Sequence, residues 1–92
     1  MRWIPVTEAM PEEHDSFFEK LRRANKLPKE LLHMHEKESD TVIITVEVIA
    51  GNKSEKFVTT GKTKDGKWDT GYKFEGQKVI AWIPFPEPWE GD

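Results

Sequence analysis

Cysteine is absent from the 92 residues, which removes disulfides, thiolate metal sites and cysteine nucleophiles. An excess of one charge is lacking too: 14 Lys and Arg stand against 17 Asp and Glu, a formal net charge of −3. That balance exerts no general pull toward nucleic acid or anionic lipid. The longest apolar stretches fall far short of a membrane span, and no signal-peptide core follows Met1. The expectation is a soluble cytoplasmic protein. Apolar residues are only 36% of the chain. A chain of this size buries roughly 60–70% of the surface it exposes when unfolded, so residues 1–92 are read as one domain with one thin core. Little room is left for a deep cofactor cavity.

What is present divides into two halves. Residues 7–40 are rich in Glu, Lys, His and Leu; residues 41–83 are rich in Val, Ile, Thr, Gly and aromatics. Ser16 with Glu19 three positions on is a capping-box pattern. Phe17, Leu21 and Ala24 follow on one helical face. Asn25 suits a left-handed stop, and Pro28 suits the first turn of a second helix. Leu27, Leu31 and Met34 continue that second stripe, which is expected to end in a solvated exit from Glu36 to Asp40. The Glu12–Asp15 stretch reads as a turn.

The second half predicts an antiparallel sheet. Val42, Ile44, Val46 and Val48 alternate onto one face, against a mixed face of Ile43, Thr45, Glu47 and Ile49. Glu47 reads as solvent-facing, paired across the hairpin with Lys56 or Lys62. Gly51-Asn52 turns the chain into a strand over Lys56–Thr63 with Phe57 or Val58 facing in. Asp65-Gly66 is the strongest hairpin signal. Lys67–Phe74 follows with Trp68, Thr70, Tyr72 and Phe74 on one side and a bulge at Gly71. After a turn at Glu75-Gly76, Lys78–Ile83 closes a four-stranded meander.

The two ends echo each other. Trp3-Ile4-Pro5-Val6 matches Trp82-Ile83-Pro84-Phe85, and Met10-Pro11-Glu12 matches Phe85-Pro86-Glu87. Proline suits a sheet edge or a strand end. Trp3, Pro5, Trp82, Pro84 and Pro86 are therefore read as structural end motifs that pack together, with both indoles mostly buried. These segments, with Asp65-Gly66-Lys67-Trp68, resemble the domain-of-unknown-function family numbered 551, found in bacteria and their phages. That family tends to open with Trp-Ile-x-Val and a Pro-Glu-Glu turn and to close with Trp-Met/Ile-Pro-x-Pro-Glu-Pro. Ala81 replaces the histidine that many members carry before the closing tryptophan, and the stretch from Ser16 to Lys37 is inserted relative to shorter members. The resemblance implies the same fold and a bacterial or phage setting. It implies no activity and no catalytic residue.

Several constellations bear on chemistry. His33 and His35 are an i, i+2 pair, which on a helix diverges by about 200°; they read as solvated, since zinc needs three or four convergent ligands. His14 has acidic neighbours that would raise its pKa and reads as a surface histidine. No two of the 17 carboxylates are singled out as an acid–base pair. Gly61-Lys62-Thr63 ends like a phosphate-binding loop, but Lys56 stands where that loop needs its first glycine. Ser16, Ser39 and Ser54 fit no nucleophile-elbow pattern. Pro84, Pro86 and Pro88 suit extended polyproline II geometry without forming Pro-x-x-Pro. Lys20, Arg22, Arg23, Lys26 and Lys29 form one basic cluster beside Phe17 and Phe18.

The expectation is an α+β domain: a four-stranded antiparallel meander, one or two short helices inserted near the N-terminus, and the two Trp-Ile-Pro segments packed together. The first functional reading is a non-catalytic protein-interaction or accessory module, of phage or mobile-element origin. Its partner surface would lie on the helical segment at Phe18, Arg22, Arg23 and Lys26, with no cofactor, no metal and no membrane. The alternative is a small nucleic-acid-binding protein using the basic first helix. An enzyme ranks last.

Overall fold

The computed structural model describes residues 2–71 and 76–91. Along the chain run β1 (Ile4–Pro5), β2 (Glu13–Asp15), α1 (Phe17–Arg23), a 3-10 turn at Lys29–Leu31, β3 (Lys37–Ser39), β4 (Val42–Ala50), β5 (Lys53–Lys64), β6 (Lys67–Asp69) and β7 (Gln77–Pro84). All strand pairs are antiparallel. The sheet is ordered β1-β7-β4-β5-β3-β2, with β6 on β5, and curls into a half-barrel. This is an α+β arrangement of mostly antiparallel sheet with one α-helix.

The expected four-stranded meander is corrected in two ways. The sheet has seven strands, and β7 pairs with β4 across seven register positions, reaching past β5 and β6 to β4's other side. The three extra strands are all short. β1 is one of the end motifs. β2 occupies the stretch read as the Glu12–Asp15 turn, and β3 the stretch read as a solvated helix exit, where Ser39 is buried.

β4 forms the centre, as its alternation predicts. Val42, Ile44 and Val46 are buried, joined by Val79 and Trp82 of β7, and Ile4, Val6, Val48, Phe57 and Trp68 pack partly buried against them. Phe57 is the β5 residue that faces in, since it lies opposite Val46. Glu47 lies on the other face, opposite Lys56 of β5 and Lys78 of β7. The two end motifs do meet: Ile4 pairs with Trp82 and Pro5 with Ala81. Trp82 is 9% exposed, and its indole N–H donates to the Ala9 carbonyl at 2.9 Å. Trp3 departs from expectation at 38% exposed; it lies just before β1, an edge strand with a neighbour on one side only.

Turns and caps follow local chemistry. Asp65 (φ 48°) and Gly66 (φ 80°) make the β5–β6 hairpin in the positive-φ geometry it requires. Asn25 stops α1 at φ 60°. Ser16 caps α1, its Oγ accepting from the Glu19 N–H at 3.1 Å. The reciprocal half of the box is absent: the Ser16 N–H donates to the Glu36 carbonyl, and Glu19 turns to Arg22 and Arg23. The second helix shrinks to the 3-10 turn, with Pro28 just before it. Strand β6 ends at Asp69 and Gly71 has φ 82°; Tyr72, Phe74 and Glu75 lie outside the described residues.

The result is thin. The chain measures 50 × 46 × 22 Å with a radius of gyration of 16.0 Å, against about 12 Å for a compact chain of this length. α1 contributes no buried residue, so the helix covers no core. No helix among the described residues is long and apolar enough to cross a membrane.

Candidate functional site

Two regions gather side chains with chemistry. The first is polar and lies where β2, β3 and the far end of β5 meet α1. Glu38 on β3 sits between two donors, His35 Nε2 at 2.9 Å and Lys62 Nζ at 2.7 Å, one on each carboxylate oxygen. The Lys62 ammonium, then His35, hold the Glu38 carboxyl below its ordinary value against the opposing effect of burial. His35 is not solvated as expected: its side chain is 12% exposed, and its ring meets Phe18 edge-on at 5.5 Å. His33 is exposed. The two histidines lie after the 3-10 turn, not on a helix.

The hydroxyls around this cluster are engaged in the backbone. Ser16 Oγ donates to the His35 carbonyl at 2.7 Å while capping α1. Ser39 Oγ donates to the Asp40 carbonyl and accepts from the Thr63 N–H, each at 2.9 Å. Thr63 Oγ1 donates to Glu13 at 2.7 Å, and the same carboxylate oxygen accepts the Gly66 N–H. Asp65 accepts the N–H groups of Glu36 (3.1 Å) and Lys37 (2.9 Å). A histidine oriented by a carboxylate resembles a catalytic base, but these hydroxyls serve as joints of the fold. Among the described residues no group of three or more His, Asp or Glu is placed to hold a metal ion.

The basic cluster is partly neutralised. Arg22 pairs with Glu19 and donates to the carbonyls of Leu32 (3.0 Å) and Met34 (3.3 Å). Arg23 pairs with Asp15 at 2.6 Å, and Lys37 also reaches Asp15. The Lys37 ammonium, then Arg23, lowers the Asp15 pKa. Lys20, Lys26 and Lys29 are exposed. The helix presents Phe17, 67% exposed, and turns the half-buried Phe18 toward His35. The expected buried face of Phe17, Leu21 and Ala24 is thereby corrected: Phe18, Glu19, Leu21 and Arg22 are the half-buried positions. Nearby, both ring nitrogens of His14 face acceptors, Nδ1 the Asp15 carbonyl (3.0 Å) and Nε2 Asp40 (2.9 Å). This arrangement favours the doubly protonated ring and raises its pKa, as the acidic neighbours lead one to expect.

The second region is apolar. On the concave face, at the β4–β5 hairpin end, Val48, Ala50 and Phe57 line an open recess of about 340 Å³, with Lys53 and Glu55 also in its wall. The inner row of β4 continues into it from the core, and nothing among the described residues fills it. A second recess of about 330 Å³ lies at the opposite end, between Pro11, Glu12, Asp40, Trp82, Pro84 and Phe85. From there the chain leaves the sheet. Pro84–Gly91 is exposed throughout, with Phe85 at 50% and Trp89 at 84%.

No family model, no curated protein and no solved structure matches the chain. Sequence reasoning missed both regions. The recess shows in sequence only as the continuation of the Val42–Ala50 alternation to the hairpin. Glu38 shows no signal, because its partner Lys62 lies 24 residues away.

Proposed function

We propose that the chain is a non-catalytic protein-interaction module whose partner completes the half-barrel at the β4–β5 hairpin end. The observation that carries this reading is the open apolar recess of Val48, Ala50 and Phe57 on the concave face. In a fold with few fully buried apolar side chains, an extension of the core that no described residue covers is the most favourable surface to desolvate. The engaged hydroxyls around His35 support a role without catalysis. The end motifs resembling the family numbered 551 add a bacterial or phage accessory setting to the proposal.

The partner surface therefore moves from the helix at Phe18, Arg22, Arg23 and Lys26 to the sheet. Arg22 and Arg23 already serve carboxylates and carbonyls of their own chain, which also weakens the nucleic-acid alternative. A photoreactive amino acid in place of Ala50, with Ser54 on the opposite face as control, tests the proposal in cells. Covalent protein adducts are expected from position 50 and not from position 54. Adducts equal at both positions, or none at position 50, count against it.

A further inference from the structure

The segment after β7 and the recess at the hairpin are both exposed, and they match in chemistry. The segment offers the indole of Trp89 between Glu87 and Glu90; the recess offers an apolar floor, the Lys53 ammonium and the Glu55 carboxylate. The indole ring suits the apolar floor. Its N–H can donate to Glu55, and either flanking carboxylate can pair with Lys53.

The chain cannot satisfy this match by itself. Pro84 lies opposite Val42, and β7 runs away from the hairpin. Val48 is six residues further along β4, about 20 Å at the strand rise. The segment would have to reverse direction, and a reversal takes at least two of the five steps from Pro84 to Trp89. The remaining three span about 10 Å. Pro84, Pro86 and Pro88 favour continued extension over reversal. A second copy placed antiparallel meets no such limit, because it sets its Trp89 beside this chain's hairpin and its own hairpin beside this chain's Trp89.

We infer that the partner at this recess is a second copy of the chain, forming a two-fold dimer in which each Trp89 segment seats in the other's Val48–Ala50–Phe57 recess. The inference rests on the interaction reading above and names its partner. Such an interface is isologous, so both contacts form together and the assembly closes at two.

Sedimentation velocity on the full-length chain, from micromolar to millimolar concentration, tests it. A concentration-dependent dimer is expected, with its dissociation constant raised about tenfold or more by Trp89→Ala and by Ala50→Glu. Both positions are exposed, and an unchanged far-UV circular dichroism spectrum verifies that the variants fold. Mixing the variants gives the distinctive readout. Ala50→Glu keeps its segment and Trp89→Ala keeps its recess, so the mixture forms a heterodimer through one contact that neither variant makes alone. A wild-type chain that stays monomeric, a dimer unmoved by both substitutions, or a mixture that does not associate would overturn the inference. The cross-link from position 50 separates the two levels: an adduct with a different protein and none with a second copy removes the dimer alone, whereas no protein adduct removes both readings.

Discussion

Trp82 concentrates more of the fold than any other side chain. It pairs with Ile4, joins the buried row of Val42, Ile44 and Val46, and ties Ala9 through its indole N–H. Trp82→Ala should cost about 3–5 kcal/mol, a large share of what a small domain has; the midpoint of chemical denaturation measures it. Titration adds a second expectation. Glu38 and Asp15 have pKa values lowered from 4.5 and 3.8, so the stability they contribute is present above those values and is lost as pH falls through the lowered ones. His14 runs the other way. Its pKa is raised from 6.5, so its contribution is complete below that value and fades as pH rises through the raised one. Denaturation midpoints across the acid range should fall as Glu38 and Asp15 protonate, and Glu38→Gln should flatten that limb. An acid limb identical in the variant would place the titration elsewhere. Residues whose partners are near in sequence were legible beforehand: Ser16 as a cap, Asn25 as a stop, Asp65-Gly66 as a turn. His35 and Ser39 were not, because Lys62 and Thr63, which complete their hydrogen-bonded network, arrive from strand β5, adjacent to β3 in the sheet but 24 residues from Glu38 and Ser39 along the chain.

At the scale of elements, long strands announced themselves and short ones did not. β4, β5 and β7 carry apolar alternation that can be read directly. β2 is Glu-His-Asp and β3 is Lys-Glu-Ser, with no apolar period to find. They are strands because polar side chains hold them, above all Glu13 on Thr63 and Gly66. The choice of β7 over a meander was equally hidden, since Glu47 meets a lysine on either side, Lys56 or Lys78. Asp65 is the joint between the β5–β6 hairpin and β3, accepting two N–H groups while its own N–H donates to the Lys37 carbonyl. Asp65→Ala should lose about 1–2 kcal/mol through those hydrogen bonds and the positive φ. Asp65→Asn should recover most of it, since asparagine tolerates that backbone and still accepts. Equal loss in both variants, measured by urea titration, would assign the effect to charge instead.

The whole molecule is a curved single layer, and no described residue fills the recess at its hairpin end. If two copies complete each other, stability depends on concentration, because association favours the folded state by mass action. The denaturation midpoint of the wild-type chain should rise with protein concentration, and that of Trp89→Ala should stay flat; parallel behaviour of the two would argue for a self-sufficient monomer. The broad class, α+β with pairing end motifs, was visible in the alternation and the repeated Trp-Ile-Pro. A thin core was expected from the chain's size; the apolar recess at the hairpin end was not, because the 36% apolar content says nothing of whether those side chains face one another or face water.

The strand order has a consequence for the nascent chain. β4 pairs with β5 through a two-residue turn, a contact that forms fast, whereas its other neighbour β7 is translated more than 25 residues after β4 ends. Until β7 emerges, β4 presents an unpaired edge alongside the bare row of Val42, Ile44 and Val46, and β1, made first, has nothing to pair with. Folding of this sheet therefore waits on β7, and closing Ile4 onto Trp82 requires a loop of more than 70 residues. A nascent chain in which β5 has emerged and β7 has not holds a sticky hairpin, and a chaperone that shields exposed strand edges would act on this protein in that interval.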